Sequence, residues 1–158
     1  MRIYKMNNQR GFSLIELIIV VAILGIMGTI AASTFQSYVN NSNLRTAARD
    51  MASDMANTKQ RAVSEGLTYR ITISTGGNSY TITRVNADGT TTDMATKLPT
   101  AFGANLTINS TNYASNIITF QTRGTTSAGW VKLRNSRNSE ATITSNTTGR
   151  THVTFAIL

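Results

Sequence analysis

The chain has 158 residues, a formal net charge of +8, one histidine, one proline and no cysteine. That length accommodates one modest domain beyond any N-terminal segment, and the lack of cysteine excludes disulfide scaffolds, thiolate zinc sites and cysteine nucleophiles. Arg2, Lys5 and Arg10 precede a long apolar run, and the remainder keeps twelve basic against seven acidic side chains, an excess that an ordinary solvated surface accounts for.

From Leu14 to Ala32 the sequence is almost wholly apolar, and Glu16 is its only charge. A helix from Phe12 to Ala32, rising about 1.5 Å per residue, spans roughly 31 Å, the thickness of a hydrocarbon core. The basic residues upstream place the start in the cytoplasm and the bulk of the chain outside. Later segments are too polar to span again, so a single-pass anchor is expected. A secretory signal with "TIAAS" (Thr29 to Ser33) as its cleavage site is the competing reading. Against it, the apolar run is long, a carboxylate interrupts it, and a helical pattern continues through the supposed cut.

An acidic residue at mid-bilayer costs roughly 2.5–3.5 kcal/mol on insertion scales. Glu16 lies about 6 Å in from Phe12, in the first helical turn, where the helix dipole favours negative charge. A cut between Gly11 and Phe12 would create an α-amino cation at the same depth, in the same chain or in a neighbour packed alongside.

The run Gly11-Phe12-Ser13-Leu14-Ile15-Glu16, with its basic leader and immediate apolar helix, resembles the processing and methylation motif of type IV pilins and type II secretion pseudopilins. The resemblance implies removal of residues 1–11 by a prepilin peptidase and N-methylation of Phe12. It also implies a pairing of Glu16 with the N-terminus of an adjoining subunit, and residues 12–33 as the transmembrane and assembly helix. The partners it implies are other pilins or pseudopilins, inner-membrane assembly machinery and membrane lipid. Many family members carry a proline late in this helix, whereas this chain has Ser33 in "AASTF". A kink there is therefore not implied, although Gly25 and Gly28 are weak points.

Residues 34–66 read as the amphipathic second half of the helix. Phe35, Tyr38, Val39, Leu44, Ala47, Ala48, Met51, Met55, Ala62 and Val63 define one face at helical spacing, with Arg45, Arg49, Asp50, Asp54 and Arg61 mostly opposite. Asn40 to Asn43 is a poor helix stretch that would bend or loosen the rod, and Gly66 is a C-cap. Residues 67–158 read as a β-rich head. "LTYRITIS" alternates, "TGGN" turns it into "SYTITRV", and Asn86 to Gly89 turns again into a threonine-rich loop through Pro99. Strands are expected at "NLTIN", "NIITFQ", "GWVKLRN", "EATITS" and "THVTFAIL". The expected class is α+β: a long N-terminal helix, membrane-spanning in its first half, packed on a mainly antiparallel β-sheet head.

The early move into strands, "ITFQTRGTTSAG" (Ile118 to Gly129) and "TTGRTHVTF" (Thr147 to Phe155) resemble the GspH/FimT subgroup of minor pilins and pseudopilins. They match its Phe-x-x-x-Gly element and its Gly-Arg-containing final hairpin. FimT-like members linked to DNA uptake carry Gly-Arg-x-Arg there, where this chain has Gly149-Arg150-Thr151-His152. A DNA-receptor role would use Lys132, Arg134, Arg137, Arg150 and His152, with Trp130, Lys132 and Arg134 sharing one strand face. The competing reading is a solvated basic face. His152 heads an apparent strand and reads as a surface or strand-edge residue. No nucleophile elbow, phosphate loop or metal-ligand spacing appears, so neither an enzyme nor a cofactor is expected. The expected role is a structural minor pilin or pseudopilin that starts or caps a type IV pilus or type II secretion pseudopilus, anchored in the bacterial inner membrane with its head periplasmic.

Overall fold

The structure, a computed structural model, describes residues 12–158, and for residues 29–34 the backbone alone. The leader expected over residues 1–11, Gly11 included, lies outside the described residues, as does the Ser33 side chain. The chain divides into two units, the first ending at Gln36 and the second running from Ser37 to Leu158. One helix, α1 (Leu14–Glu65), has segments in both.

In the first unit, Leu14, Ile15, Leu17, Ile19 and Val20, which point to different sides of the helix, are all exposed. A helix apolar on every side is one made for burial in lipid or among other helices. Among the described residues no helix is long and apolar enough to cross a membrane. The expected span runs on through residues 29–34, whose side chains are not among them.

In the second unit, α1 runs unbroken through Asn40 to Asn43, where loosening was expected. Two side-chain contacts hold that stretch: Asn41 Oδ1 accepts from Asn135 Nδ2 at 2.9 Å, and the Ser42 carbonyl accepts from Thr46 Oγ1 at 3.0 Å. The buried face begins at Leu44 and continues through Ala47, Ala48, Met51, Met55 and Ala62. Tyr38 and Val63, expected on that face, are 72% and 50% exposed. Thr58 is buried instead, because the face steps from Met55 to Ala62 through position 58. Its hydroxyl donates to the Asp54 carbonyl at 2.6 Å, which removes the cost of burying it. Gly66 ends the helix at φ +66, the left-handed conformation a C-cap requires.

The head is two antiparallel sheets rather than one. The first has the order β3-β2-β1-β5, built from β1 (Thr68–Ser74), β2 (Ser79–Val85), β3 (Thr91–Lys97) and β5 (Ile117–Phe120). The second has the order β4-β6-β7-β8, from β4 (Thr107–Thr111), β6 (Gly129–Arg134), β7 (Glu140–Ser145) and β8 (Thr151–Ala156). Each sheet is thus a three-strand meander plus one strand from the central segment, and β4 and β5 cross between sheets. Asn78 in the first turn ties the two together, its side chain bonding Leu106 O and Ile108 N at 2.8 and 2.7 Å.

The segment expected as a threonine-rich loop is β3. It pairs with β2 from Thr91↔Val85 to Lys97↔Tyr80 with one bulge, and every residue before Lys97 is exposed. Without a buried face there is no apolar alternation to mark it, and only β-branched threonine favours the strand. Inside, Tyr69, Ile71, Ile73, Ile118, Phe120, Val131, Leu133 and Ile143 close on the helical face as one core. Each large aliphatic or aromatic side chain so buried contributes about 1.5–3 kcal/mol.

Candidate assembly and binding surfaces

At the start of α1, Ser13 and Glu16 form part of a capping box. The Leu17 amide donates to Ser13 O at 3.2 Å, and the Ser13 amide donates to Glu16 Oε2 at 3.4 Å. The Ser-x-x-Glu spacing explains the contact: a carboxylate three residues past the cap can satisfy a free N-terminal amide. Phe12 is 87% exposed beside it. Glu16 therefore accepts from a neutral backbone amide and has no cationic partner among the described residues.

The residues proposed from sequence as a basic face are only partly brought together. Trp130, Lys132 and Arg134 do share the outer face of β6, and Lys132 Nζ lies 5.3 Å from the Trp130 ring centroid. Across the sheet, Trp130, Thr144 and His152 form one row, with His152 exposed on the edge strand β8. Glu140 stands directly opposite Arg134. It accepts from Arg134 Nε at 3.0 Å and pairs with Lys132 Nζ at 3.5 Å. The hydrogen bond from Arg134 is the largest influence on the Glu140 carboxyl; desolvation opposes it, and the charges of Lys132 and Arg134 add to it, so its pKa lies below the ordinary value. Arg137 lies in the β6–β7 turn and Arg150 beyond the far end of β7. That six-residue strand separates them by about 20 Å.

Arg150 belongs to a different grouping. Lys59 Nζ donates to Thr148 O at 2.8 Å, and Thr126 N donates to Thr147 O at 3.1 Å. Two tight turns, around Gly124 (φ +82) and Gly149 (φ +74), thereby pack on α1 at one end of the head. The Phe120-x-x-x-Gly124 and Gly149-Arg150 elements noticed separately in the sequence are neighbours.

One polar cluster escaped the sequence reading. Lys97 Nζ lies 3.0 Å from Asp50 Oδ2 and 2.8 Å from Asp54 Oδ2, and Tyr80 Oη donates to Asp54 Oδ2 at 2.7 Å. Burial first, then the two carboxylates, push the Tyr80 phenol above its ordinary range. Burial alone would lower the Lys97 ammonium, but its bonds to Asp54 and Asp50 raise it. The Asp50/Asp54 spacing of four was visible in the sequence, but Lys97 sat in the stretch read as loop. Among the described residues no three His, Cys, Asp or Glu side chains are grouped to hold a metal ion.

Comparison with known proteins bears on the whole arrangement. Residues 47–149 match the family described as type II transport protein GspH. The chain belongs to the GspH family. Residues 6–32 separately match the prokaryotic N-terminal methylation motif. The type IV major alpha-pilin of Moraxella bovis is 45% identical over 47 residues, 30% of each chain. A fimbrial protein of Moraxella nonliquefaciens is 56% identical over 34 residues, 22% of each. The chain thus matches under a third of the length of these curated relatives. Solved structures share the fold. The minor pseudopilin EpsH of the Vibrio cholerae type 2 secretion system superposes with TM-score 0.60 at 10% identity, covering 72% of this chain and 97% of that one. The type IV minor pilin FimU of Pseudomonas aeruginosa gives 0.56 at 18% identity, covering 74% and 92%. This GspH-family chain therefore carries an N-terminal methylation motif ahead of a head that shares the fold of those two solved subunits.

Proposed function

We propose that this GspH-family subunit is held in the inner membrane by the first part of α1, with its head periplasmic, and passes from there into a pilus or pseudopilus that it helps to start or cap. A prepilin peptidase removes residues 1–11, Phe12 is methylated, and Glu16 exchanges its present bond to the Ser13 amide for the N-terminal amine of an adjoining subunit. The assembly machinery of the inner membrane acts on the processed chain. The observation that carries this reading is the methylation motif over residues 6–32 set on a helix whose apolar side chains are exposed on all sides. A carboxylate in that setting is costly alone, and pairing with a cation offsets that cost.

The test is charge reversal. Glu16→Lys should leave membrane insertion largely intact and block incorporation into filaments. Normal incorporation of that variant would sink the pairing. Processing is checked separately by mass spectrometry of the N-terminus, which should begin at methylated Phe12.

Contact with DNA is the second role considered from sequence. Glu140 already engages two of its five residues, Lys132 and Arg134, and Arg137 and Arg150 stand at opposite ends of β7. The structural role is therefore the one put forward, and titration with DNA decides the other.

A further inference from the structure

A stripe of α1 that flanks the buried face borders a solvent-open cleft. Tyr38, Asn41, Ser42, Arg45 and Arg49 recur at spacings of three and four, so they line one stripe of α1. With Ile157 they border a cleft of about 470 Å³ within the second unit. Tyr38 is 72% and Ile157 36% exposed, which gives the cleft apolar walls. Arg45 and Arg49 are exposed, one turn apart, and among the described residues neither pairs with a carboxylate. The Arg45 guanidinium sits 5.2 Å from the Phe155 ring centroid, a contact that fixes its position while leaving its donors available.

Building on the assembly reading, we propose that this cleft receives a helical segment of a different pilin-class subunit, one that bears two carboxylates a single turn apart. Guanidinium groups at positions i and i+4 match carboxylates at the same spacing and bind them bidentately. Tyr38 and Ile157 take the apolar residues beside those carboxylates. A second copy of this chain is the poorer occupant. Its own one-turn pair, Asp50 and Asp54, is held by Lys97 and Tyr80, and Glu140 is held by Arg134 and Lys132. A lipid headgroup layer also fits poorly. From Tyr38 to Arg49 the stripe rises about 16 Å, roughly twice the interfacial thickness of one leaflet, and it is concave.

The experiment places a photocrosslinking amino acid at Ser42 in the full-length chain, expressed with its native assembly system. Crosslinked residues are mapped by mass spectrometry. The expected adduct joins Ser42 to a helix of another subunit within a turn of a carboxylate pair. Arg45→Glu/Arg49→Glu should reduce that adduct about tenfold or more, since two charge-assisted bonds are lost. Reversing the partner's carboxylates to arginine should restore it. Arg49→Glu alone serves as the milder variant if the double one folds poorly. An adduct insensitive to these reversals, or formed with lipid or with the chain's own copies, overturns the proposal. Recovery of the chain in sheared filaments, scored in parallel, tests the assembly reading by itself. If the chain is recovered and the adduct fails, only the cleft assignment falls; if it is not recovered, both fall.

Discussion

A Cβ atom built on Gly149 would lie 2.6 Å from Cδ of Lys59 and 2.9 Å from the Gly124 carbonyl oxygen. The stem of one helical lysine thus occupies the space that a side chain in the β7–β8 turn would need. Gly149 also holds φ +74, so both conformation and space select glycine there. Gly149→Ala should therefore destabilise the head by about 1–3 kcal/mol. Chemical denaturation of the full chain in detergent measures it, and a variant as stable as wild type would show that the turn can shift away from α1.

Lys97 should matter more than an isolated surface lysine. Lys97→Met leaves Asp50 and Asp54 facing each other and Tyr80 without their cation. A loss of about 1–2 kcal/mol is expected, limited by the partial exposure of the group. The lysine pKa is raised on folding, so its contribution is complete below the unfolded value and fades as pH climbs through the folded one. The stability difference between wild type and variant should narrow in strongly alkaline buffer.

Glu140 gives the opposite pH signature. Its pKa is lowered on folding, so its contribution is present above the unfolded carboxylate value and fades as pH falls through the folded one. Glu140→Gln should be less stable than wild type at neutral pH and should lose less on acidification. Parallel melts at neutral and acidic pH check this; identical acid sensitivity would mean that the Arg134 pair does not persist in solution.

DNA binding is decided by titration at low and physiological salt. If phosphate contacts exist, Arg134→Ala/Arg150→Ala should weaken binding across sequences and flatten its salt dependence. Freeing Lys132 and Arg134 through Glu140→Gln should strengthen it. The absence of measurable binding even at low salt would leave the structural role standing alone.

Much of this molecule could be read from its residues, wherever a buried face imposed a period. Leu44 to Met55 gave a helical stripe because helix packing selects every third or fourth residue, and β1 alternated because one of its faces is core. β3 escaped for the converse reason, being exposed on both faces. Tyr38 and Val63 were apolar at the right spacing yet lie outside the core, since periodicity cannot say where a partner surface stops. For the binding residues, the shared face of Trp130, Lys132 and Arg134 followed from strand geometry. The engagement of Lys132 and Arg134 by Glu140 depended on the β6–β7 register, which a sequence without pairing information does not contain.

The exchange of β4 and β5 between the sheets bears on how the head comes apart. The chain places β4 in the second sheet before β5 completes the first, so the two sheets are interleaved along the sequence. Such interleaving couples local pairings that would otherwise melt one hairpin at a time. Loss of the head should therefore be a single cooperative transition, with β1–β5 pairing appearing and vanishing together with β4–β6 pairing. The long-range pairing of Tyr69 with Phe120 is then a closure on which the integrity of the whole head depends.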